Sequence, residues 1–139
     1  MGTLEEHKAI VRRFVDEIFL GGSSAAVDEL IAPDARFHTY PFGDDPRGGM
    51  RAAIERVQAG LSDVEFTVND LVAEGDLVAA RLTTAATQTS VFMKLPPTGK
   101  RYAIEELHLF RIRDGQVIEH WHQFDQMGML RQLGVSPGG

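Results

Sequence analysis

The sequence has no cysteine, which excludes disulfides, thiolate nucleophiles and thiolate metal ligands together. It has no surplus of positive charge. Its 14 Lys and Arg stand against 20 Asp and Glu, a net charge of −6, which argues against a nucleic-acid partner because such binders usually carry a basic face. No apolar run approaches the ~20 residues that a membrane-spanning helix needs, and the N-terminus lacks a signal-peptide pattern. A cytoplasmic protein that does not engage a membrane is therefore expected. A Gly-rich phosphate loop, a Walker pattern and a Gly-x-Ser-x-Gly elbow are missing too, and there is no internal repeat or low-complexity tract. What is present is ordinary for a globular protein: 43% hydrophobic and 24% charged residues over a length of 139. That is enough for one domain, 1–139, with a real core.

Helical spacing dominates the first part of the chain. Thr3-Leu4-Glu5-Glu6 reads as a capping box, followed by Leu4, Ile10, Val11, Phe14, Val15 and Ile18 at helical intervals up to Gly21-Gly22. Ser23 or Ser24 opens a short second helix carrying Val27, Leu30 and Ile31, with Pro33 as its stop. Ala35–Tyr40 reads as a short strand, Pro41–Pro46 as a turn-rich loop, and Met50, Ala53, Ile54 and Val57 mark a third helix ending near Gly60. The period then changes to two. Val64, Phe66 and Val68 alternate with polar residues, and a slip of phase near Asp70 predicts a bulge. Glu74-Gly75-Asp76 turns into a strand over Leu77–Gln88, Pro96-Pro97-Thr98-Gly99 reverses the chain again, and Gln126–Leu133 reads as a closing helix. Three helices followed by long, mostly antiparallel strands make an α+β plan. If the strands curl around the helices they enclose a cone open at one end.

The stretch Lys100–Asp125 carries the chemistry. Two apolar and aromatic runs flank Asp114-Gly115, a strong hairpin signal. A three-residue Arg113-Asp114-Gly115 loop would pair Ile112 with Gln116, Phe110 with Ile118, His108 with His120 and Glu106 with His122. Those pairs would share one face, apolar near the turn and titratable away from it. A two-residue loop would set His108 opposite Trp121 and scatter the titratable groups, so the first register is preferred. Glu106, His108 and His122 then form a candidate acid–base set, since imidazole titrates near neutrality and a neighbouring carboxylate holds a chosen tautomer. For one histidine a plain hydrogen-bonded sheet residue is the better reading; four titratable groups on one face shift the balance. A zinc or iron site through His108, His120 and His122 is the rival chemistry, but same-side spacing arises in any alternating strand, so no metal is assigned. Asp44-Asp45 reads as a turn, Arg81 as a solvated strand residue, and Leu107 and Trp121 fall on the opposite face.

The chain resembles the SnoaL-like branch of the nuclear transport factor 2-like superfamily, the polyketide cyclases and their relatives. The resemblance rests on the opening helix, Glu74–Arg81, Leu95–Lys100, Phe110–Gly115, Glu119–His122 and the tail Asp125–Gly134. It implies the cone-shaped, cystatin-like fold, with helices packed inside a curved sheet and the outer sheet face used for a homodimer. It also implies an aspartate just after the Trp, and this sequence has His122 there. His108 is similar to the cyclase histidine, and Glu106 stands where the cyclases carry glutamine.

The expected function is that of a cofactor-free acid–base enzyme acting on a small hydrophobic, oxygenated carbonyl substrate. His122 would remove a proton alpha to the carbonyl, and His108, tuned by Glu106, would assist the enolate oxygen. Phe14, Ile18, Phe37, Tyr40, Phe110 and His120 are the expected substrate-contacting walls. A dehydratase, hydratase or hydroxylase-like reaction in the same pocket is the enzyme alternative. A non-catalytic small-molecule-binding dimeric domain is the alternative from another class, favoured if side chains seal the polar cluster.

Overall fold

The computed structural model describes residues 2–135. Thr3 caps the first helix, α1 (Leu4–Arg13), its hydroxyl accepting the Glu6 N–H at 3.1 Å. This helix runs without a break into a π-helical stretch, Phe14–Leu20. Ser23 caps α2 (Ser24–Leu30) and Asp45 caps α3 (Pro46–Gly60), whose first position is a proline that gives up an N–H with no partner inside the helix. Five strands follow or intervene: β1 (Ile31–Phe37), β2 (Leu61–Glu74), β3 (Leu77–Gln88), β4 (Arg101–Arg113) and β5 (Gln116–Phe124). Asp125 then caps α4 (Gln126–Leu133).

The strands form one sheet in the order β1-β5-β4-β3-β2, with β1 parallel to β5 and all other pairs antiparallel. Register shifts interrupt the β2/β3 ladder between Ser62 and Glu65 and between Val68 and Asp70, the second where the sequence phase slips. Such bulges raise local twist, and they let strands of 12 to 14 residues curl around the helices. Inside the curve, Val11, Phe14, Val15 and Ile18 pack with Leu30 and Ile31 against Val78, Leu82, Phe110, Ile112 and Val117. The Phe14 and Phe110 rings meet edge to face at 5.2 Å, both fully buried. Burial of side chains this size stabilises the fold by about 2 kcal/mol each. A second cluster joins Leu61, Ala86, Tyr102 and Ile104 to Met129 and Leu133 of α4.

Three local expectations are corrected. The first strand is Ile31–Phe37 rather than Ala35–Tyr40, and α2 ends at Leu30, ahead of Pro33. Proline is tolerated in β1 because β1 is an edge strand. Leu4 is 45% exposed while His7 is buried and bonds the Gly75 carbonyl at 3.1 Å, so the inward stripe of α1 begins one turn later than the apolar pattern suggests. The third correction bears on the site. The β4/β5 turn is a two-residue loop of Asp114 and Gly115, both at positive φ, closing on the Arg113–Gln116 pair. A register shift after Ile112–Val117 then leaves Ile118 as a bulge, so Arg111 faces Glu119 and His108 faces His122. A one-residue loop error and a one-residue bulge cancel in parity. Every titratable side chain expected on the inner face is therefore on it.

Candidate acid–base site

Alternation along β4 and β5 sends Glu106, His108 and Phe110, and across from them His120, His122 and Phe124, to the inner face. Glu106 Oε1 accepts from His108 Nε2 at 3.0 Å and from His122 Nε2 at 2.8 Å, and His108 Nδ1 lies 2.9 Å from His120 Nε2. The four form one chain, His120–His108–Glu106–His122. The imidazoles of His108 and His122 stack at 4.2 Å with 14° between planes. Thr39 fixes the strand beneath, its hydroxyl donating to the His122 carbonyl and accepting the His122 N–H, both at 2.9 Å. This continues the β1/β5 pairing by one side-chain rung.

Burial alone would raise the Glu106 carboxyl, but the bonds from His108 and His122 outweigh it and hold the group well below the usual carboxylate range. Burial pushes His108 below the ordinary imidazole value against the pull of Glu106, and it pushes His120 further down, with the neighbouring imidazoles adding to the effect. An ionised carboxylate accepts only, so His108 and His122 both carry their protons on Nε2. A neutral His108 then has a bare Nδ1, and His120 must donate to it from Nε2. Two ring nitrogens are left over, His120 Nδ1 and His122 Nδ1, both buried without a hydrogen-bond partner among the described residues. Thr84 Oγ1 is a third such atom.

Glu106, His108 and His122 each offer a ligand atom within 4.8 Å of the others, a spacing one cation could span. Those atoms are engaged with one another here. A cation on both Nε2 atoms would move the protons to Nδ1, leaving a buried N–H on His122 with no acceptor among the described residues. An unmet donor costs more than an unmet lone pair, so the proton network fits these residues better than a metal centre.

The expected wall residues fall into two groups. Phe14, Ile18 and Phe110 are fully buried core. Phe37 and Tyr40 lie beside the imidazoles: the Tyr40 ring stacks on His122 at 5.3 Å and on His120 at 5.7 Å, and Phe37 meets His120 at 5.1 Å. His120 is itself inaccessible. Burial, then the charge of Glu106, raise the Tyr40 phenol and keep it protonated. Phe19 escaped sequence reasoning, yet it sits 5.4 Å from His108 and stacks on Phe66 at 5.5 Å. A 3.6-residue period does not bring it to the face of Phe14 and Ile18; the wider π-helical turn does. The side chains of His108, His122 and Glu106 are 0%, 7% and 12% exposed, so the chain of groups approaches solvent at its Glu106–His122 end. A groove of about 610 Å³ lies on the outer sheet face, between Asp70, Val72, Arg81, Leu107, Leu109 and Trp121.

Residues 9–133 match the family model described as SnoaL-like polyketide cyclase. Nogalonic acid methyl ester cyclase of Streptomyces nogalater is 32% identical over 124 residues, spanning 84% of this chain and 89% of that protein. Aklanonic acid methyl ester cyclase of Streptomyces peucetius is 34% identical over 77 residues, which is 55% of this chain and 50% of that one, so this match spans only about half of that relative. Among solved structures, TsrD from Streptomyces laurentii superposes with a TM-score of 0.88 at 29% identity, over 98% of this chain and 100% of that one. IdmH from Streptomyces antibioticus, a proposed polyketide cyclase, gives 0.79 at 36% identity over 93% and 99%.

Proposed function

The chain belongs to the SnoaL-like polyketide cyclase family, and from that premise we propose that it is an enzyme closing a ring in a hydrophobic, polyketide-type carbonyl compound by acid–base chemistry without a cofactor. The observation that carries this reading is the pairing at His122: Nε2 is bound to Glu106, and the opposite nitrogen, Nδ1, is buried with no hydrogen-bond partner among the described residues. In this reading Nδ1 removes the proton alpha to a carbonyl. The imidazolium so formed keeps its Nε2–H on the ionised Glu106, which offsets the new charge. The enolate carbon bonds to a second carbonyl carbon, and the resulting alkoxide takes the proton back from Nδ1. Atoms balance, and the mass is unchanged.

His108 has both nitrogens taken up inside the protein, so it serves this step by holding Glu106, not by touching the enolate oxygen. Tyr40, still protonated and stacked on His122, is the donor assigned to that oxygen. The near-sealed cluster favours one second reading, a small-molecule-binding domain without turnover. Nogalonic acid methyl ester, the compound named for one relative, is the first substrate to offer. Its conversion to an isomer of equal mass, slowed about a hundredfold or more in His122→Ala, supports the cyclase reading. Equal rates in the two proteins move the chemistry elsewhere, and binding without turnover supports the second reading. Stoichiometric zinc or iron held by His108 and His122 in the purified protein would overturn the cofactor-free part.

The assembly proposed is a homodimer through the outer sheet face. Val72 and Leu107 are 65% and 59% exposed beside the groove, and no helix of the described residues covers them. Sedimentation should give a dimer at micromolar concentration that Leu107→Glu splits; a monomeric wild type rejects it.

A further inference from the structure

Gly49 lies in the first turn of α3, where the backbone is helical and needs no glycine. An alanine there would favour the helix, because glycine loses more chain entropy on ordering. The reason for the glycine is space. A β-carbon added to it would lie 2.5 Å from Cγ and Cδ1 of Phe42 and 2.8 Å from its Cβ, closer than real Cβ contacts come. Rotating the Phe42 side chain leaves its own Cβ in place, so the Phe42 backbone or the start of α3 would have to move. Those two are tied together: the Asp45 N–H donates to the Phe42 carbonyl at 3.3 Å, and Asp45 caps α3 by accepting the Gly48 N–H at 3.0 Å. On its other side the Phe42 N–H donates to the Tyr40 carbonyl at 2.9 Å.

The rings repeat this connection. Phe42 and Tyr40 stack at 5.0 Å with 5° between planes, and Tyr40 stacks in turn on His120 and His122. Among the described residues Phe42 is the one ring stacked on Tyr40 that is not an imidazole of the polar chain; Phe37 meets Tyr40 at 6.3 Å and a tilt of 51°. Thr39 ties the chain just ahead of Tyr40 to β5, so a displaced Phe42 tilts the Tyr40 ring instead of carrying the segment away.

We propose that Gly49 is a positioning residue: its bare Cα seats Phe42 on α3, and Phe42 sets the plane in which Tyr40 lies over His122. Its bearing on turnover rests on the role proposed for Tyr40 as donor to the enolate oxygen, but the seating belongs to the substrate-free protein and is measurable there.

The test is the chemical shift of the His122 ring protons in labelled, substrate-free protein, which the ring current of Tyr40 stacked at 5.3 Å displaces. Tyr40→Leu sets the change expected for complete loss of that stack. Gly49→Ala and Phe42→Ala should each move the His122 lines in the same direction and at least half as far, and Phe42→Tyr, which keeps a ring, should move them least. Gly49→Ala should also lower the thermal midpoint, where an alanine with open space around it would raise it. Unmoved His122 lines in a folded Gly49→Ala, or a raised midpoint, overturn the proposal. If Gly49→Ala does not fold, Phe42→Ala carries the test, and unmoved lines there overturn it equally. With a turned-over substrate, Gly49→Ala and Phe42→Ala should each lose about tenfold to a hundredfold in kcat with little change in KM, the usual cost of misplacing a reacting group by about 1 Å. If the His122 lines move while kcat holds, the seating stands and the role given to Tyr40 is rejected. If kcat falls while the lines hold, Gly49 acts by another route and the seating is rejected.

Discussion

Two histidine–glutamate pairs lie on opposite faces of the same sheet. On the outer face His38 Nε2 meets Glu119 at 2.7 Å, with side chains 38% and 23% exposed; on the inner face His122 Nε2 meets Glu106 at 2.8 Å, at 7% and 12%. The bond lengths are alike, and the surroundings decide what each pair does. Glu119 also takes Arg111 at 3.0 Å, which in turn reaches Asp76 at 2.7 Å, so the outer pair is one link in a wet, redundant ion network. Glu106 is largely buried, and its partners are two imidazoles and no arginine or lysine of the described residues. Every N–H pointed at it depends on it, and the protons around it are fixed by hydrogen-bond geometry. Moving a residue by one position along a strand exchanges one situation for the other.

The strongest way to break this contrast is Glu106→Ala. Two buried imidazoles lose their common acceptor, and removing one partner from a buried pair typically costs about 3 kcal/mol or more. Urea unfolding should show a loss of that size, with turnover falling at least as far as in His122→Ala. A loss below about 1 kcal/mol, the range of surface pairs, would mean that water reaches the cluster and that the inner and outer pairs are alike after all.

Acid sharpens the same contrast. His108 and His120 have folded-state values below the ordinary 6.5, and Glu106 lies below the ordinary 4.5. For all three groups the unfolded chain binds protons first. The stability they contribute is fully present above pH ~6.5 for the imidazoles and above ~4.5 for the carboxyl, and it is lost as pH falls through and below those values. Thermal midpoints should therefore drop steadily from pH 7 to pH 5, before most carboxylates titrate. A folded His120→Gln variant should show a shallower drop, because one buried imidazole no longer has to be protonated. A flat profile over that range would mean that the imidazoles are solvated.

Legibility from sequence follows the same line between local and non-local causes. The strand Leu77–Gln88 and the helix Gln126–Leu133 were readable to the residue, because a turn or a capping aspartate marks their starts. The inner-face membership of Glu106, His108, His120 and His122 was readable because parity survives even a wrong loop length. The opposed pairs were not. Whether His108 faces His120 or His122 depends on a bulge at Ile118, and Ile118 looks like any other strand residue. The π-helical turn that brings Phe19 to His108, packed against α1, α2 and β2, has no counterpart in the apolar spacing of the sequence. The tautomer chain depended on both, so only its members could be named in advance, not the bonds between them.

The smallest expected effect is at the other end of the comparison. Glu119→Gln removes a charge from the outer network but leaves an amide oxygen for His38 or Arg111, while Arg111 retains Asp76. The hydrogen bond from His38 holds the Glu119 carboxyl below its usual range against slight burial, with Arg111 adding to the effect. With His38 more than a third exposed, that preference is largely screened by solvent. Urea unfolding should change by less than about 1 kcal/mol, and the difference should shrink in high salt. This variant also bears on the proposed dimer, because His38 stacks on Trp121 at 4.8 Å and Trp121 lines the outer groove. A loss well above 1 kcal/mol that appears only at protein concentrations where the dimer forms would place Glu119 under a second copy. The outer pair would then be dry in the assembly, and the contrast between the two faces would belong to the monomer alone.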